Sequence, residues 1–474
     1  MVSGREDLLE KIKTDGVEFI DLQVIDLRGK LNHITVPSYS LTDESFSEGL
    51  PKLDGSSLRG FKEIYESDMV LMPDPSTYAV LPWAKDPAYK TARLMAFVLE
   101  DNGRRSFSRD PRYIAANAES YLKEHGYSTS YWGPELEFFI FDKARWNTNL
   151  RYRETSSYYK IYSSEIENPV NYSFRPKEGY YPTEPHDSLS MLRGEMSIIA
   201  KKSFGIEVEA HHHEVASGGQ SEIDIKYNTL LKQADNLATL KYVVKNVAAN
   251  NGKVVTFMPK PLFGDNGSGL HVHTSFWNGS KNEFYDENDS YAELSQTGRY
   301  FVGGLKEHSR SLTAIVAPTT NSYKRLVPGF EAPIFIAWSK GNRSANIRIP
   351  VYFKSKPTAK RVEFRTPDPS CNHYFAFAAM LLAGLDGIKK KIDPGDPVDE
   401  NIYKLSLERR KELGVEELPR NLFEATESLR SDNEYLKPLF ESELIEWFIK
   451  SESSDHIAVE GRPTPHEFYL YFDL

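Results

Sequence analysis

Along residues 234–250 the apolar positions Leu237, Leu240, Val243, Val244 and Val247 recur at helical spacing, which predicts a helix with one buried stripe. A second helix is expected over about 110–126, with Asp110 as N-cap and Pro111 at the first helical position. Residues from about 5 to 13 read as a short helix, and the apolar run Tyr374 to Leu385 as a buried one. Shorter apolar runs bounded by turn residues read as strands. Two of them, Val17 to Leu27 and Lys30 to Pro37, surround the turn Asp26-Leu27-Arg28-Gly29, and others begin at Asp68 and Tyr78. Gly133 to Asp142 is also strand-like, yet it puts Glu135 and Glu137 on one face among aromatics. Two carboxylates in a core strand call for a compensating charge; the alternative is an edge strand with a wet face. From Lys143 to about Asp187 the chain is aromatic and polar without clear periodicity, the pattern of a long surface insertion. Asp101-Asn-Gly-Arg-Arg-Ser is the best boundary, dividing a small unit (1–103) from a large one (104–474).

Candidate chemistry concentrates in the stretch Glu209 to Asp224, where Ser217-Gly218-Gly219 signals a hairpin turn. A tip at Gly218 would set Glu214 opposite Glu222, with Cβ atoms roughly 5 Å apart. Carboxylates that close raise each other's pKa unless a cation lies between them, and a hard divalent ion with oxygen ligands suits the place. A solvated hairpin with a His-rich edge is the plainer alternative. His211, His212 and His213 suggest zinc, but strand alternation lets at most His211 and His213 share a site. Downstream, Asn266-Gly-Ser-Gly leads into a strand that carries His271, His273 and Ser275 on one face. Asn321 to Pro333 is a loop bounded by Pro and Gly with Glu331 near its far end, the pattern of a mobile flap. Arg325, Arg343, Arg348, Arg361 and Arg365 concentrate positive charge suited to carboxylate and phosphate oxygens, although any single one of them reads equally as a surface ion pair.

Composition narrows these readings. With 474 residues and 40% hydrophobic content the chain can bury a large core. Its 68 acidic and 58 basic residues give a net charge of −10, which argues against nucleic acid as a partner. A single cysteine, Cys371, rules out an intramolecular disulfide and fits a reducing cytoplasm. No apolar run is long enough to span a bilayer, so no membrane association is expected. There is neither G-x-x-x-x-G-K-[S/T] nor G-x-G-x-x-G, so any nucleotide is held by other means.

Taken in order, several motifs resemble those of type I glutamine synthetases over about residues 15 to 474. They are Asp54-Gly-Ser-Ser, Gly133-Pro-Glu-Leu-Glu-Phe-Phe, His211-His-His-Glu-Val-Ala and Gly219-Gln-Ser-Glu. Asn266-Gly-Ser-Gly-Leu-His-Val-His, Asn321-Ser-Tyr-Lys-Arg-Leu-Val-Pro-Gly, Asn342-Arg-Ser-Ala and Arg361-Val-Glu-Phe-Arg follow. The resemblance implies an α+β fold: a small N-terminal β-grasp domain, then a large catalytic domain with a curved antiparallel sheet flanked by helices. It also implies a homo-dodecamer of two hexameric rings, with active sites between subunits and small-molecule substrates glutamate, ammonium and ATP.

Carried over residue by residue, Glu137, Glu214 and Glu222 would hold one Mg²⁺ or Mn²⁺, and Glu135, His271 and Glu363 a second. Asn266, Gly267, Arg325, Arg343 and Arg365 would bind glutamate. Glu209, His273, Ser275, Arg348 and Arg361 would contact ATP, with Tyr227 near adenine. Asp54 would deprotonate ammonium, and Glu331 would shield a γ-glutamyl phosphate intermediate. A relative that ligates glutamate to a polyamine or another amine is the alternative; such relatives tend to lose the ammonium-site carboxylates, and Asp54 and Glu331 are present here. The chain departs from the pattern at Thr358, where a lysine that contacts phosphate is usual, leaving Lys356 or Lys360 to replace it. Tyr403 falls near the tyrosine that some relatives adenylylate, but its flanks differ, and it reads as a structural tyrosine.

Overall fold

The computed structural model describes residues 5–83, 88–101, 103–148, 150–151, 154–155, 157–167, 173–351 and 354–474. After helix α1 (Arg5–Asp15), the chain forms β1 (Val17–Ile25), β2 (Leu31–Pro37), β3 (Leu50–Asp54), β4 (Asp68–Pro73), β5 (Ala79–Val80), β6 (Lys90–Glu100) and β7 (Arg105–Ser106). Their sheet runs β2-β1-β6-β4-β3, with β5 and β7 also on β6. Only the β1–β6 pair is parallel. The alternation of aliphatic with polar residues buries Ile20, Leu22 and Val24 on one face. The Asp54-Gly-Ser-Ser motif ends β3 as a single 3₁₀ turn capped by the Asp54 side chain.

α2 (Pro111–Glu124) starts where the sequence places it, with the Asp110 side chain accepting from the Arg112 N–H. The chain continues through β8 (Thr129–Phe141), β9 (Lys143–Asn147), β10 (Leu150–Arg151), β11 (Glu154–Thr155), β12 (Tyr158–Tyr162), α3 (Ser164–Glu167) and α4 (Ser190–Phe204). The 143–187 segment is therefore not irregular throughout: β9 and β12 pair antiparallel, with Trp146 opposite Tyr159. Both strands are short and largely exposed, so neither develops the period-2 alternation that would mark it.

Next come β13 (Val208–His213), β14 (Gln220–Ile225), α5 (Leu230–Asn250), β15 (Val254–Thr256), β16 (Leu270–Asn278), β17 (Lys281–Asn282), α6 (Gln296–Glu307), α7 (Ser309–Val316), α8 (Ser322–Arg325), β18 (Phe335–Ser339), β19 (Ala345–Arg348) and β20 (Val362–Phe364). α9 (His373–Lys390), α10 (Leu407–Glu412), β21 (Glu416–Glu417), α11 (Leu422–Ser431), α12 (Ser442–Glu460) and α13 (Pro465–Tyr471) complete the chain. The second sheet runs β13-β14-β8-β16-β20-β19-β18-β21, with β15 on β8 and β17 on β16. The α+β architecture is the expected one; the sheet is antiparallel except that β18 and β19 pair in parallel.

Beneath the sheet, α9 is buried almost all round, which accounts for its unbroken apolar run. Trp132 of β8 stacks on Phe377 at 5.2 Å, and α6 crosses α9 at van der Waals contact. A Cβ added at Gly304 would lie 2.0 Å from the Ala383 carbonyl oxygen, so the crossing admits no side chain there. A buried polar cluster ties the layers together. The Arg112 guanidinium, fully buried, bonds Asp235 of α5 at 2.9 and 2.7 Å and Asp74 at 2.9 Å. The Tyr374 hydroxyl donates to Asp235 at 2.7 Å.

Candidate active site

Strand alternation and inter-strand register together line three rows of polar side chains across one face of the second sheet. His212, Glu222 and Glu137 are consecutive partners across β13, β14 and β8. Asp224, Glu135 and His271 are partners across β14, β8 and β16. His273, Glu363 and Arg348 are partners across β16, β20 and β19. Every step of two residues along a strand preserves the face. The rows border a cavity of 470 Å³, whose lining includes Glu135, Glu137, Glu214, Glu222, His271 and Glu363.

The hairpin that supplies the first row is displaced from the expected register. Glu222 lies opposite His212 rather than Glu214, and the Glu214 N–H donates to the Gln220 carbonyl at 2.9 Å. Gly218 and Gly219 both take left-handed φ (75° and 85°), which moves the centre of the turn to Ser217. A Cβ at Gly219 would meet the Ile140 carbonyl oxygen at 2.2 Å, so this strand-to-turn contact requires glycine. The choice of histidines reverses with the face. His212 shares the face of Glu214 and enters the site; its Nδ1 and Nε2 lie 3.6 Å from Glu214 Oε1 and 3.6 Å from Glu222 Oε1. His211 and His213 point away from it. His213 is buried against Glu165 of α3, with Nε2 to Oε2 at 3.1 Å.

Electrostatics at this face are those of crowded buried carboxyls. Burial first, and then Glu214, push Glu137 well above the usual carboxylate range. Burial followed by Asp224 and Glu137 does the same to Glu222, and burial raises Glu214 to about 7 and Asp224 to about 6. Glu135 goes the other way: burial opposes its ionisation, but His273 and His271 hold it well below the usual range. Its Oε1 lies 2.7 Å from His273 Nε2 and its Oε2 2.9 Å from His271 Nδ1. Two sets, His212 with Glu214 and Glu222, and Glu135 with His273 and Glu363, bring ligand atoms within 4.8 Å of one another. Oxygen-dominated donor sets with one imidazole fit hard divalent cations, whose charge would reverse the upward shifts of the carboxyls.

Cationic side chains line the cavity as well. Arg325, Arg343, Arg348 and Arg365 line it with Asn266 and Gly267. Arg348 pairs with Glu363 at 2.9 Å, and Arg365 Nε lies 3.2 Å from the same carboxylate. Arg325 is fixed in place by the carbonyls of Thr366, Pro367 and Arg365 at 2.9, 3.2 and 3.1 Å. Glu331 reaches the cavity from the flap at a left-handed φ of 58°, a conformation that costs a non-glycine residue about 1–3 kcal/mol.

Other expected residues lie around or away from this centre. Arg361 donates from Nε to His273 Nδ1 at 3.1 Å, and Ser275 accepts from Trp277 Nε1 at 2.9 Å. Glu209 is exposed beside an irregularity in the β13–β14 register, and Tyr227 is half exposed, its ring edge-on to Tyr131 at 5.2 Å. Asp54 is not among the cavity-lining residues. It is exposed and accepts from the Ser56 N–H, the Ser56 hydroxyl and the Ser57 hydroxyl at 2.9, 2.7 and 2.9 Å; these bonds, that of Ser56 foremost, lower its pKa.

Comparison with known proteins identifies the family. A model described as the glutamine synthetase β-grasp domain matches residues 16–101, and one described as the glutamine synthetase catalytic domain matches residues 108–471. The chain belongs to the glutamine synthetase family. It is thus an enzyme of a family of ATP-binding, metal-binding ligases of glutamine biosynthesis. A glutamine synthetase of Sulfolobus acidocaldarius is 52% identical over 473 residues, covering 99% of this chain and 98% of that one. One of Frankia alni is 46% identical over 487 residues, covering 100% of both. Among solved structures, Plasmodium falciparum glutamine synthetase superposes with a TM-score of 0.88 at 29% identity over 99% of both chains. A GmaS/ADP complex gives 0.81 at 28% identity over 99% of this chain and 100% of that one.

Within the glutamine synthetase framework, several cavity residues had no counterpart in the sequence reading. Lys177, Tyr180, Tyr181, His212, Asp224 and Phe330 all line the cavity. His212 and Asp224 carried a usable signal, since each sits two residues from a glutamate of the same face. Tyr180 and Tyr181, stacked at 4.0 Å, come from the aperiodic segment and carried none. Of the two lysines that could replace the missing one at Thr358, Lys360 is buried, with its ammonium donating to the Ala292 carbonyl, and so is turned inward. Lys356 is exposed. Tyr403 packs on Phe335 and donates its hydroxyl to the Ala332 carbonyl at the end of the flap, a structural use of that side chain.

Proposed function

We propose that the enzyme joins ammonia to the γ-carboxylate of L-glutamate with hydrolysis of ATP to ADP and phosphate, through γ-glutamyl phosphate. The observation that carries this reading is the meeting, in one cavity, of two carboxylate-rich donor sets, a wall of arginines and the flap carboxylate Glu331. Glu137, Glu214 and Glu222, with His212 beside them, would hold one Mg²⁺ or Mn²⁺, and Glu135, His271 and Glu363 a second. When bound, such ions neutralise the charge of the phosphoryl group in transfer. Arg325, Arg343 and Arg365, with Asn266 and Gly267, bind glutamate so that its γ-carboxylate faces the ATP γ-phosphate. Arg348, Arg361, His273, Ser275 and Glu209 contact the nucleotide, with Tyr227 near adenine. The likeness to a chain solved with ADP supports the binding of a nucleotide. Asp54 takes a proton from ammonium, ammonia attacks the acyl phosphate, and Glu331 excludes water and receives a proton as the intermediate collapses.

The exposed position of Asp54, outside its own chain's cavity, supports a site completed by a neighbouring subunit in a dodecamer of two hexameric rings. Among the described residues no helix is long and apolar enough to cross a membrane, and we place the enzyme in the cytoplasm. The decisive experiment measures ADP release and identifies the amide formed from glutamate with ammonium, putrescine or ethylamine. Ammonium is expected to give glutamine and the fastest turnover; faster turnover with either amine would replace this reading by an amine ligase.

A further inference from the structure

Phe330, the flap residue before Glu331, has two ammonium groups against its ring. Lys177 Nζ is 4.0 Å and Lys260 Nζ 3.8 Å from its ring centroid, well inside the range of cation–π attraction. Lys177 also donates from Nζ to the Gly329 carbonyl at 3.1 Å, so it holds both backbone and side chain of the flap. Both lysines hang on Asp265, which is 2% exposed. Lys177 donates its backbone N–H to Asp265 Oδ1 at 2.9 Å, and the Lys260 ammonium donates to the Asp265 carbonyl. The same carboxylate accepts from the Asn266 N–H at 2.9 Å and from the N–H and hydroxyl of Ser217 at 2.7 and 2.6 Å. The Lys260 backbone is paired in turn with the Asn321 side chain, at the near base of the flap, at 2.8 and 3.0 Å. Asp265 thus ties these parts together: its carboxylate holds the turn of the β13–β14 hairpin, the glycine loop before β16 and the Lys177 backbone, and its carbonyl holds the Lys260 ammonium. Lys177 and Glu331 both sit at left-handed φ, 69° and 58°, a conformation that persists only where the surroundings impose it.

We propose that Lys177, Phe330 and Lys260 form a latch that holds the flap over the cavity and so positions Glu331. They are positioning residues, acting through the flap and not on the reacting atoms. The inference rests on the amide-forming reaction above and extends it: the latch sets how well the acyl phosphate is kept from water. In the leak it suppresses, water attacks the acyl carbon, the carbon–oxygen bond to phosphate breaks, and glutamate and phosphate return with ATP spent and no amide made.

The test uses the assembled enzyme and the variants Phe330→Ala, Phe330→Trp and Lys177→Met, the last altering an exposed side chain that leaves the core intact. Amide hydrogen exchange across residues 326–333 is expected to speed up about tenfold in Phe330→Ala, to speed up less in Lys177→Met, and to stay near wild type in Phe330→Trp. The molar ratio of ADP released to glutamine formed is expected to be near one in the wild type, to rise to about two or more in Phe330→Ala, and to return toward one in Phe330→Trp. Unchanged exchange in both Phe330→Ala and Lys177→Met overturns the latch, whatever product the wild type makes. Faster exchange with an unchanged ratio overturns its role in positioning Glu331. A wild type that makes no glutamine overturns the amide-forming reading instead, and exchange then decides the latch by itself.

Discussion

Glu214 shows how a single residue that would serve a bound ion opposes the fold without one. Its carboxyl is buried beside Glu222 and raised to about 7, so ionising it without a counter-charge is unfavourable. Glu214→Ala is therefore expected to abolish most of the stabilisation that Mg²⁺ or Mn²⁺ confers, with apparent metal affinity falling about 100-fold and turnover falling with it. Thermal unfolding at increasing Mg²⁺ measures this; an unchanged metal-dependent shift would remove Glu214 from the ion's neighbourhood. The glutamates were legible individually because acidic residues at alternate positions of an aromatic strand are costly unless a cation compensates them. His212 was not. The rule that strand residues alternate was sound, but the face had to be anchored on Glu214; the turn's two left-handed glycines moved the pairing by two residues, which changes the partner and keeps the face.

At the scale of elements, helices α6, α7, α9 and α11 meet around His308. Its Nε2 lies 2.9 Å from Asp386 and its Nδ1 2.8 Å from Asp432, while its ring stacks on Tyr435 at 4.0 Å. Ser311 donates to Asp432 at 2.8 Å, and Lys390 pairs with Asp386 at 2.9 Å. Burial alone would lower the pKa of His308, but Asp432 and then Asp386 overcome it and raise it above 6.5. The charged imidazole thus stabilises the folded state fully below pH 6.5, and that contribution is lost as pH rises through the higher folded value. His308→Asn is expected to lower the unfolding midpoint by about 2–4 °C at pH 6, with the gap closing at alkaline pH. A gap independent of pH would assign His308 to packing alone. The helices themselves were legible from their stripes and caps, as at Asp110 and in the 234–250 stripe. The 143–187 strands were not, because neither face of a short exposed pair is selected for apolarity.

At the scale of the whole molecule, Asp54 and the candidate metal ligands Glu135, Glu137, Glu222 and Glu363 belong to different sheets, and Asp54 does not line its own chain's cavity. If the Asp54 loop acts on a neighbour's site, co-expressing Asp54→Ala with Glu214→Ala will create some junctions with both parts intact. Purified mixed oligomers are expected to recover roughly a quarter of normal activity when mixing is random and equal, although each variant is inactive alone. Verified mixed oligomers without activity would show that Asp54 serves its own chain.

The sequence by itself determined the family, the α+β class, the helices with strong stripes or caps, and the identity of the glutamates and arginines now found around one cavity. These follow from local pattern and from motifs whose order survives without coordinates. Only the tertiary structure decided which face of the hairpin enters the site, that Lys360 is turned inward, and that Tyr180, Tyr181 and Phe330 share the cavity. Cross-strand register, the inward turn of a lysine and the grip of Lys177 and Lys260 on Phe330 depend on contacts between segments far apart in sequence. Periodicity is a property of one segment and carries no information about which other segment it will meet.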